Sequence, residues 1–195
     1  MMDLFSLAGK TALVVGGGGG LGRAIAVGLA GAGARVAVSG RDEAKLLETV
    51  SAIRDPVNPP IAVRMDVLDE GSVNKAVYEV IEKYGAIDIL VNSAGVHLKK
   101  PTLEVTDMEW TRVIDTNLTG TFRVCRAVGS QMVKQGRGKI INIASLGSFV
   151  ALKDAAAYTS SKAGIALLTK NLAVELAPCN IQVNAIAPGV FKTSL

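Results

Sequence analysis

At 195 residues, with 49% apolar and 19% charged residues and a mean hydropathy of +0.37, the chain is too apolar to be disordered and long enough to bury a core without disulfides or metals. No apolar run reaches the roughly 18 residues that a membrane helix needs, because Arg23, Arg35, Arg41 and Lys45 interrupt the N-terminal third. The net charge of +4 is scattered, apart from pairs such as Lys99–Lys100, and with aromatics at 4% the pattern excludes the basic, stacking surface of a nucleic-acid binder.

In chain order, short β-branched runs alternate with longer helical stretches. Met1 to Lys10 is too short and too weakly apolar for a signal peptide. Thr11–Val15 reads as a buried strand and Leu21–Ala32 as a helix entered through a run of glycines. Arg35–Ser39 is a second strand, followed by a helix from Asp42 to Arg54. Pro56, Pro59 and Pro60 mark a loop before a third strand, Ile61–Met65. Asp69 is placed to cap the next helix, which runs to Tyr84, and Gly85 suits its C-terminal end. Ile87–Val91 and Lys139–Ile143 are the fourth and fifth strands, with helical pattern between them from Asp107 to Gln135. Ala155–Leu176 is a long helix and Ile181–Ile186 a sixth strand. This alternation predicts parallel βαβ units, hence an α/β, doubly wound Rossmann fold in a single domain over 1–195.

Five consecutive glycines, Gly16–Gly20, follow the first strand directly and open the first helix. A glycine run is ordinarily a flexible linker, but this position is where phosphate binding needs bare backbone N–H groups at a helix N-terminus. The run satisfies GxGxxG as Gly17, Gly19, Gly22 and GxxxGxG as Gly16, Gly20, Gly22, so a nucleotide site is expected here. Gly9-Lys10-Thr11 looks like the tail of a P-loop, but Leu4 stands in place of its upstream glycine and it precedes the strand. The second strand ends at Ser39-Gly40-Arg41-Asp42, where a dinucleotide's adenosine ribose would lie. With Asp42 read as the helix N-cap, Ser39 and Arg41 are left to hold a 2′-phosphate, which favours NADP(H) over NAD(H).

Tyr158 and Lys162 lie four apart in a helical segment and share one face. A nearby ammonium favours phenolate and brings a tyrosine toward general acid–base work. Ser145 sits just past the fifth strand, at the edge of the sheet where functional loops gather. Cys125 and Cys179 match no metal spacing, and with His97 the single histidine no metal site is expected. Unpaired cysteines fit a reducing cytoplasm.

Together these residues resemble the short-chain dehydrogenase/reductase family through nearly the whole chain. Gly16-x3-Gly20-x-Gly22 matches the family's cofactor loop, Asp66-Val67 the pair flanking the adenine, and Asn92-Ser93-Ala94-Gly95 the signature after the fourth strand. Asn117, Ser145, Tyr158 and Lys162 match the catalytic tetrad, and Pro188-Gly189 with Thr193 the segment that holds the nicotinamide. Val15 stands where threonine is usual, losing a hydrogen bond that braces the loop, and Gly19 where many NADP-dependent members carry a cation. The resemblance implies a hydride-transferring oxidoreductase whose cofactor contacts are Gly16, Gly18, Gly20, Leu21, Gly22, Ser39, Arg41, Asp66, Val67, Asn92, Ala94, Gly95, Tyr158, Lys162, Pro188, Gly189 and Thr193. It implies that Tyr158 donates the proton, Ser145 stabilises the carbonyl oxygen, Lys162 tunes Tyr158 and binds the nicotinamide ribose, and Asn117 holds a relay water.

The opening Leu4–Lys10 resembles that of gluconate 5-dehydrogenases and related sugar-acid enzymes, with a 3-oxoacyl-acyl-carrier-protein reductase as the alternative. Substrate contacts are expected from His97, Gly147, Phe149 and Lys153, with Lys99, Lys100 or Lys153 available to a substrate carboxylate. The small apolar residues of Ala163–Leu176 suit a helix-pair interface, as in the family's homodimers and homotetramers. A regulator that senses NADP(H) without turnover is the reading from another class; it should lack part of the tetrad, and no member is lost. Family members run to about 250 residues, so the chain is expected to lack a last strand and the helices that cover the substrate.

Overall fold

The computed structural model describes residues 4–55 and 57–191, so that Pro56 and Thr193 lie outside the described residues. Six strands, β1 (Thr11–Val15), β2 (Arg35–Gly40), β3 (Ile61–Arg64), β4 (Ile89–Asn92), β5 (Gly138–Ile143) and β6 (Ile181–Ile186), form one sheet in the order β3-β2-β1-β4-β5-β6. Each pairing is parallel. The helices are α1 (Gly20–Gly31), α2 (Glu43–Ala52), α3 (Glu70–Tyr84), α4 (Asp107–Ile114), α5 (Gly120–Gln135) and α6 (Ala156–Leu176). The predicted doubly wound Rossmann fold is present. None of these helices is long and apolar enough to cross a membrane.

Strand periodicity builds the two halves of the core. Leu13 and Val15 of β1 point to one face, where they meet Val73, Val77 and Val80 of α3 and Val124, Val128 and Met132 of α5. Ala12 and Val14 point to the other, against Ala26 of α1 and Leu46 of α2. Each fully buried Leu, Val or Met side chain contributes about 1.5–3 kcal/mol. Because the chain reverses its winding between β1 and β4, the helices leave a crevice there at the carboxyl edge of the sheet. The register levels that edge, with Val15 opposite both Ser39 and Asn92, and Asn92 opposite Asn142.

Local signals set most boundaries. The Asp42 and Asp69 side chains accept from Lys45 N and Gly71 N at the starts of α2 and α3, and Gly85 takes a left-handed conformation, φ 82°, to end α3. Two elements differ from expectation. The stretch 107–135 is not one helix, because Asp115–Thr119 forms a π turn between α4 and α5. Five residues are too short a stretch for a change of period to show in the sequence. The fourth strand starts at Ile89, where its register with Ala12 begins, and the residue before it is a polar tie.

That residue, Asp88, is buried at the amino edge of the sheet. Its Oδ2 accepts from Thr11 N at 3.0 Å and its Oδ1 from Arg137 Nε at 3.0 Å, fastening β1 to β4 and to the start of β5. Burial by itself raises the Asp88 carboxyl, but the Thr11 N–H and the Arg137 guanidinium outweigh it and hold the group below its ordinary value. Its contribution is therefore complete above the unfolded-state value and fades as pH falls through the lower folded value. Asp88→Ala is expected to cost about 2 kcal/mol in urea unfolding at neutral pH, because Thr11 N–H is left buried and unpaired. The difference from the native chain should shrink as pH falls below the ordinary carboxylate range.

Candidate active site

The crevice is a cavity of about 750 Å³. At one end it is lined by Gly40, Arg41, Lys45 and Asp66–Leu68, and at the other by His97, Ser145, Leu152, Tyr158, Lys162 and Pro188–Phe191. Gly16, Gly18–Leu21 and Ser93–Val96 line the stretch between.

The glycine run forms the middle of the floor by close approach. Gly16 and Gly17 donate their N–H groups to Ser39 O at 2.8 and 3.1 Å. A Cβ on Gly16, whose φ is +79°, would stand 2.5 Å from Ala94 N, and one on Gly22 would stand 2.2 Å from Gly16 O. Gly19 has open space around it. Gly17 is crowded too, a Cβ there standing 2.8 Å from Val38 Cβ, but with Gly19 open and Gly20 at φ +50°, the fingerprint built on Gly16, Gly20 and Gly22 is the one constrained at all three positions. Gly19 caps α1 with no side chain, and no acidic residue occupies the first turn. Bare N–H groups and the positive end of the helix remain available to an anion. A cradle in which side chains cannot stand fits the pyrophosphate of a dinucleotide.

The opposite end gathers the reactive side chains. Lys162, on α6, is 5% exposed and donates from Nζ to Ile143 O at 2.6 Å. Its Nζ lies 5.8 Å from the centre of the Tyr158 ring. Burial pushes the Lys162 amine down to about 8. Ser145 follows β5, and its Oγ accepts from Gly147 N at 3.1 Å, which leaves its own proton to donate. Ser148 Oγ accepts from Ser145 N and donates to Lys162 O, tying this loop to the first turns of α6. Asn117, in the π turn, is fully buried. Its Oδ1 accepts from Val96 N at 2.8 Å, while its Nδ2 donates to Val96 O at 2.9 Å and Ser161 Oγ at 3.0 Å. That clamp sets the loop after β4, in which His97 packs its ring on Tyr158 at 4.6 Å between centroids.

The remaining expected residues divide. Gly16, Gly18, Gly20, Leu21, Arg41, Asp66, Val67, Ala94, Gly95, Pro188 and Gly189 line the cavity, as does His97. Gly22 lies beneath the loop rather than on the wall. Two residues expected at the cofactor do not face it. Ser39 Oγ is buried and directed at Met65 Sδ, 3.7 Å away, because alternation along β2 turns that side chain into the core. Asn92 is likewise buried, donating to Asn142 Oδ1 and Cys125 Sγ. Gly147 is buried, and Gly147, Phe149 and Lys153 are not among the lining residues. Lys100 is not free for a substrate, since its ammonium sits 2.8 Å from Glu109 Oε2. Sequence reading passed over Arg23, Lys45, Glu48, Leu152, Val190 and Phe191 on the wall, and also Thr49; Thr49 and Arg23 hydrogen-bond the carbonyls of Gly17 and Gly18. Thr49 had a signal, as a hydroxyl at a core-facing helical position; Val190 and Phe191 had none.

Residues 10–195 match the family model described as short chain dehydrogenase. The 5-keto-D-gluconate 5-reductase of Escherichia coli is 37% identical over 195 residues, covering all of this chain and 77% of that protein. The 3-oxoacyl-acyl-carrier-protein reductase of Aquifex aeolicus is 40% identical over 190 residues, covering 97% and 77%. Among solved structures, a gluconate 5-dehydrogenase from Burkholderia cenocepacia in complex with NADP and tartrate superposes with a TM-score of 0.93 at 38% identity, covering 99% of this chain and 76% of that one.

Followed by carbon-13 NMR at Cε, Lys162 is expected to titrate with a midpoint about 8, well below the ordinary lysine range of about 10.4. A midpoint in that ordinary range would show an amine open to water.

Proposed function

The chain belongs to the short-chain dehydrogenase/reductase family of nicotinamide-dependent oxidoreductases, and on that premise we propose that it is an NADP(H)-dependent enzyme interconverting a secondary alcohol and a carbonyl on a sugar acid or polyol. The observation that carries this reading is the convergence of Ser145, Tyr158 and buried Lys162 at one end of a crevice whose middle is a bare glycine cradle.

When bound, the nicotinamide supplies or accepts the hydride at the substrate carbon. Tyr158 gives its phenolic proton to the carbonyl oxygen in reduction and takes it back in oxidation. The Lys162 ammonium, 5.8 Å from the ring centre, offsets the charge left on the oxygen as that proton departs. Since burial brings Lys162 down to about 8, that help declines as pH rises through this value. Ser145 donates its hydroxyl to the same substrate oxygen and steadies the charge that develops there. Asn117, with its amide engaged by Val96 and Ser161, fixes the pocket wall. Its main-chain carbonyl accepts from Thr121 Oγ1 at 2.6 Å.

The cofactor preference is carried by the far end of the crevice. Arg41 is exposed on its wall, with Lys45 beside it. Of the nearby acids, Asp42 caps α2 and Glu48 is paired with Arg23 at 2.6 Å. Asp42 also lies 3.6 Å from the Lys45 ammonium, and Asp66, on the same wall, accepts from Leu68 N. Arg41, which none of these acids pairs, is the group suited to a 2′-phosphate. The NADP complex of the Burkholderia relative supports this reading. The sugar-acid assignment draws on that protein and on the 5-keto-D-gluconate 5-reductase. The Aquifex relative favours a second reading, reduction of a 3-oxoacyl thioester.

Turnover of gluconate, other sugar acids, polyols and acyl thioesters with both cofactors tests the assignment. Activity on acyl thioesters with none on sugar acids would replace the first reading by the second. Tyr158→Phe is expected to lower kcat by about a thousandfold while dinucleotide binding persists. Arg41→Ala is expected to raise KM for NADP about tenfold and leave KM for NAD unchanged.

A further inference from the structure

The glycine run is held by three residues that have no part in the chemistry above: Thr49, which lies beneath it, and Arg23 and Glu48, which also line the crevice. Thr49 of α2 is fully buried, and its Oγ1 lies 2.8 Å from Gly17 O, nearer than the 3.2 Å to the Lys45 carbonyl of its own helix. The same oxygen accepts from Arg23 Nε at 3.0 Å. Arg23, in the first turn of α1, donates from Nη2 to Gly18 O at 3.0 Å. The Glu48 carboxylate, 2.6 Å from that nitrogen, holds the guanidinium in place. Val15, just before the run, is apolar and buried and gives the loop no hydrogen bond of its own side chain.

Five successive glycines have little backbone preference, so ordering them costs more entropy than ordering any other residues. Something outside the run must set its path. In a trans peptide the carbonyl and the next N–H point in opposite directions. Fastening the Gly17 and Gly18 carbonyls to Thr49 and Arg23 therefore turns the Gly18 and Gly19 N–H groups the other way. Among the described residues, neither of these N–H groups donates to another protein group.

We infer that Thr49 and Arg23, with Glu48 steadying Arg23, are positioning residues that pre-set these two N–H groups for the pyrophosphate. The inference rests on the reading of the crevice as a dinucleotide site. The loop enters binding already ordered, so the entropy of fixing it is not subtracted from affinity. The helix that carries Thr49 and Glu48 begins beside Arg41, at the 2′-phosphate end.

Calorimetric titration of the full chain with two probes tests this. ADP-ribose carries the pyrophosphate and undergoes no hydride transfer, whereas 2′-AMP reaches only the adenosine end. Thr49→Val and Arg23→Met are each expected to raise Kd for ADP-ribose about tenfold while 2′-AMP changes by less than about twofold. In turnover, KM for the dinucleotide should rise with kcat retained. Glu48→Gln, at an exposed position, should give a smaller rise for ADP-ribose alone, and it answers the question if Thr49→Val fails to fold. Unchanged ADP-ribose affinity in folded variants, or equal losses for both probes, would overturn the inference while leaving the dinucleotide reading intact. Failure of the native chain to bind ADP-ribose would overturn both.

Discussion

Everything in the crevice depends on how closely three stretches of main chain approach one another at the carboxyl edge of the sheet. Gly16 rests on the backbone of Ala94, and Gly22 rests on Gly16, with separations that no Cβ would permit. These contacts draw the start of α1 onto the ends of β1 and β4. The floor that results is made of peptide groups, and its recognition is that of oriented N–H dipoles and not of side chains. Specificity therefore has to come from the two ends, where side chains return: Arg41 and Lys45 at one, His97 and Tyr158 at the other.

The reactive end is governed by burial in place of charge pairing. None of the ion pairs among the described residues involves Lys162, whose hydrogen-bond acceptor is the Ile143 carbonyl. A buried ammonium facing a neutral acceptor is poorly stabilised, and the amine is correspondingly easy to deprotonate. A carboxylate partner would fix the charge and remove that responsiveness. The site trades the stability of an ion pair for an amine brought down to about 8 by burial. Ser148 and Asn117 bear the structural work, one binding the Ser145 loop to α6 and the other binding the loop after β4 to the π turn.

The fold and most of the reactive set were legible from sequence, because they are written in local signals. Period-two strands, capping aspartates and the spacing of Tyr158 and Lys162 each depend on a few neighbouring residues. What escaped depends on direction. Ser39 and Asn92 stand at the right distance along their strands, but alternation points both into the core, and a boundary one residue away reverses that outcome. The π turn spans only five residues, too few for its change of period to show. Thr49 and Arg23 act across 32 and 5 residues of sequence, respectively, on carbonyls whose orientation no spacing records. Lys100 shows the converse, a cation that looks free until Glu109 is seen beside it.

The place of β1 in the sheet has a consequence for synthesis. It is the first of the six strands to be made, yet its neighbour β4 begins only at Ile89. A parallel pair separated by so much chain must close a long loop before any of its hydrogen bonds form. On the ribosome, the glycine run would emerge and pair with β2 through Ser39 well before Ala94 exists to support it. The nascent chain passes through an interval in which the cradle has one wall, and a nucleotide present then would meet a half-built surface.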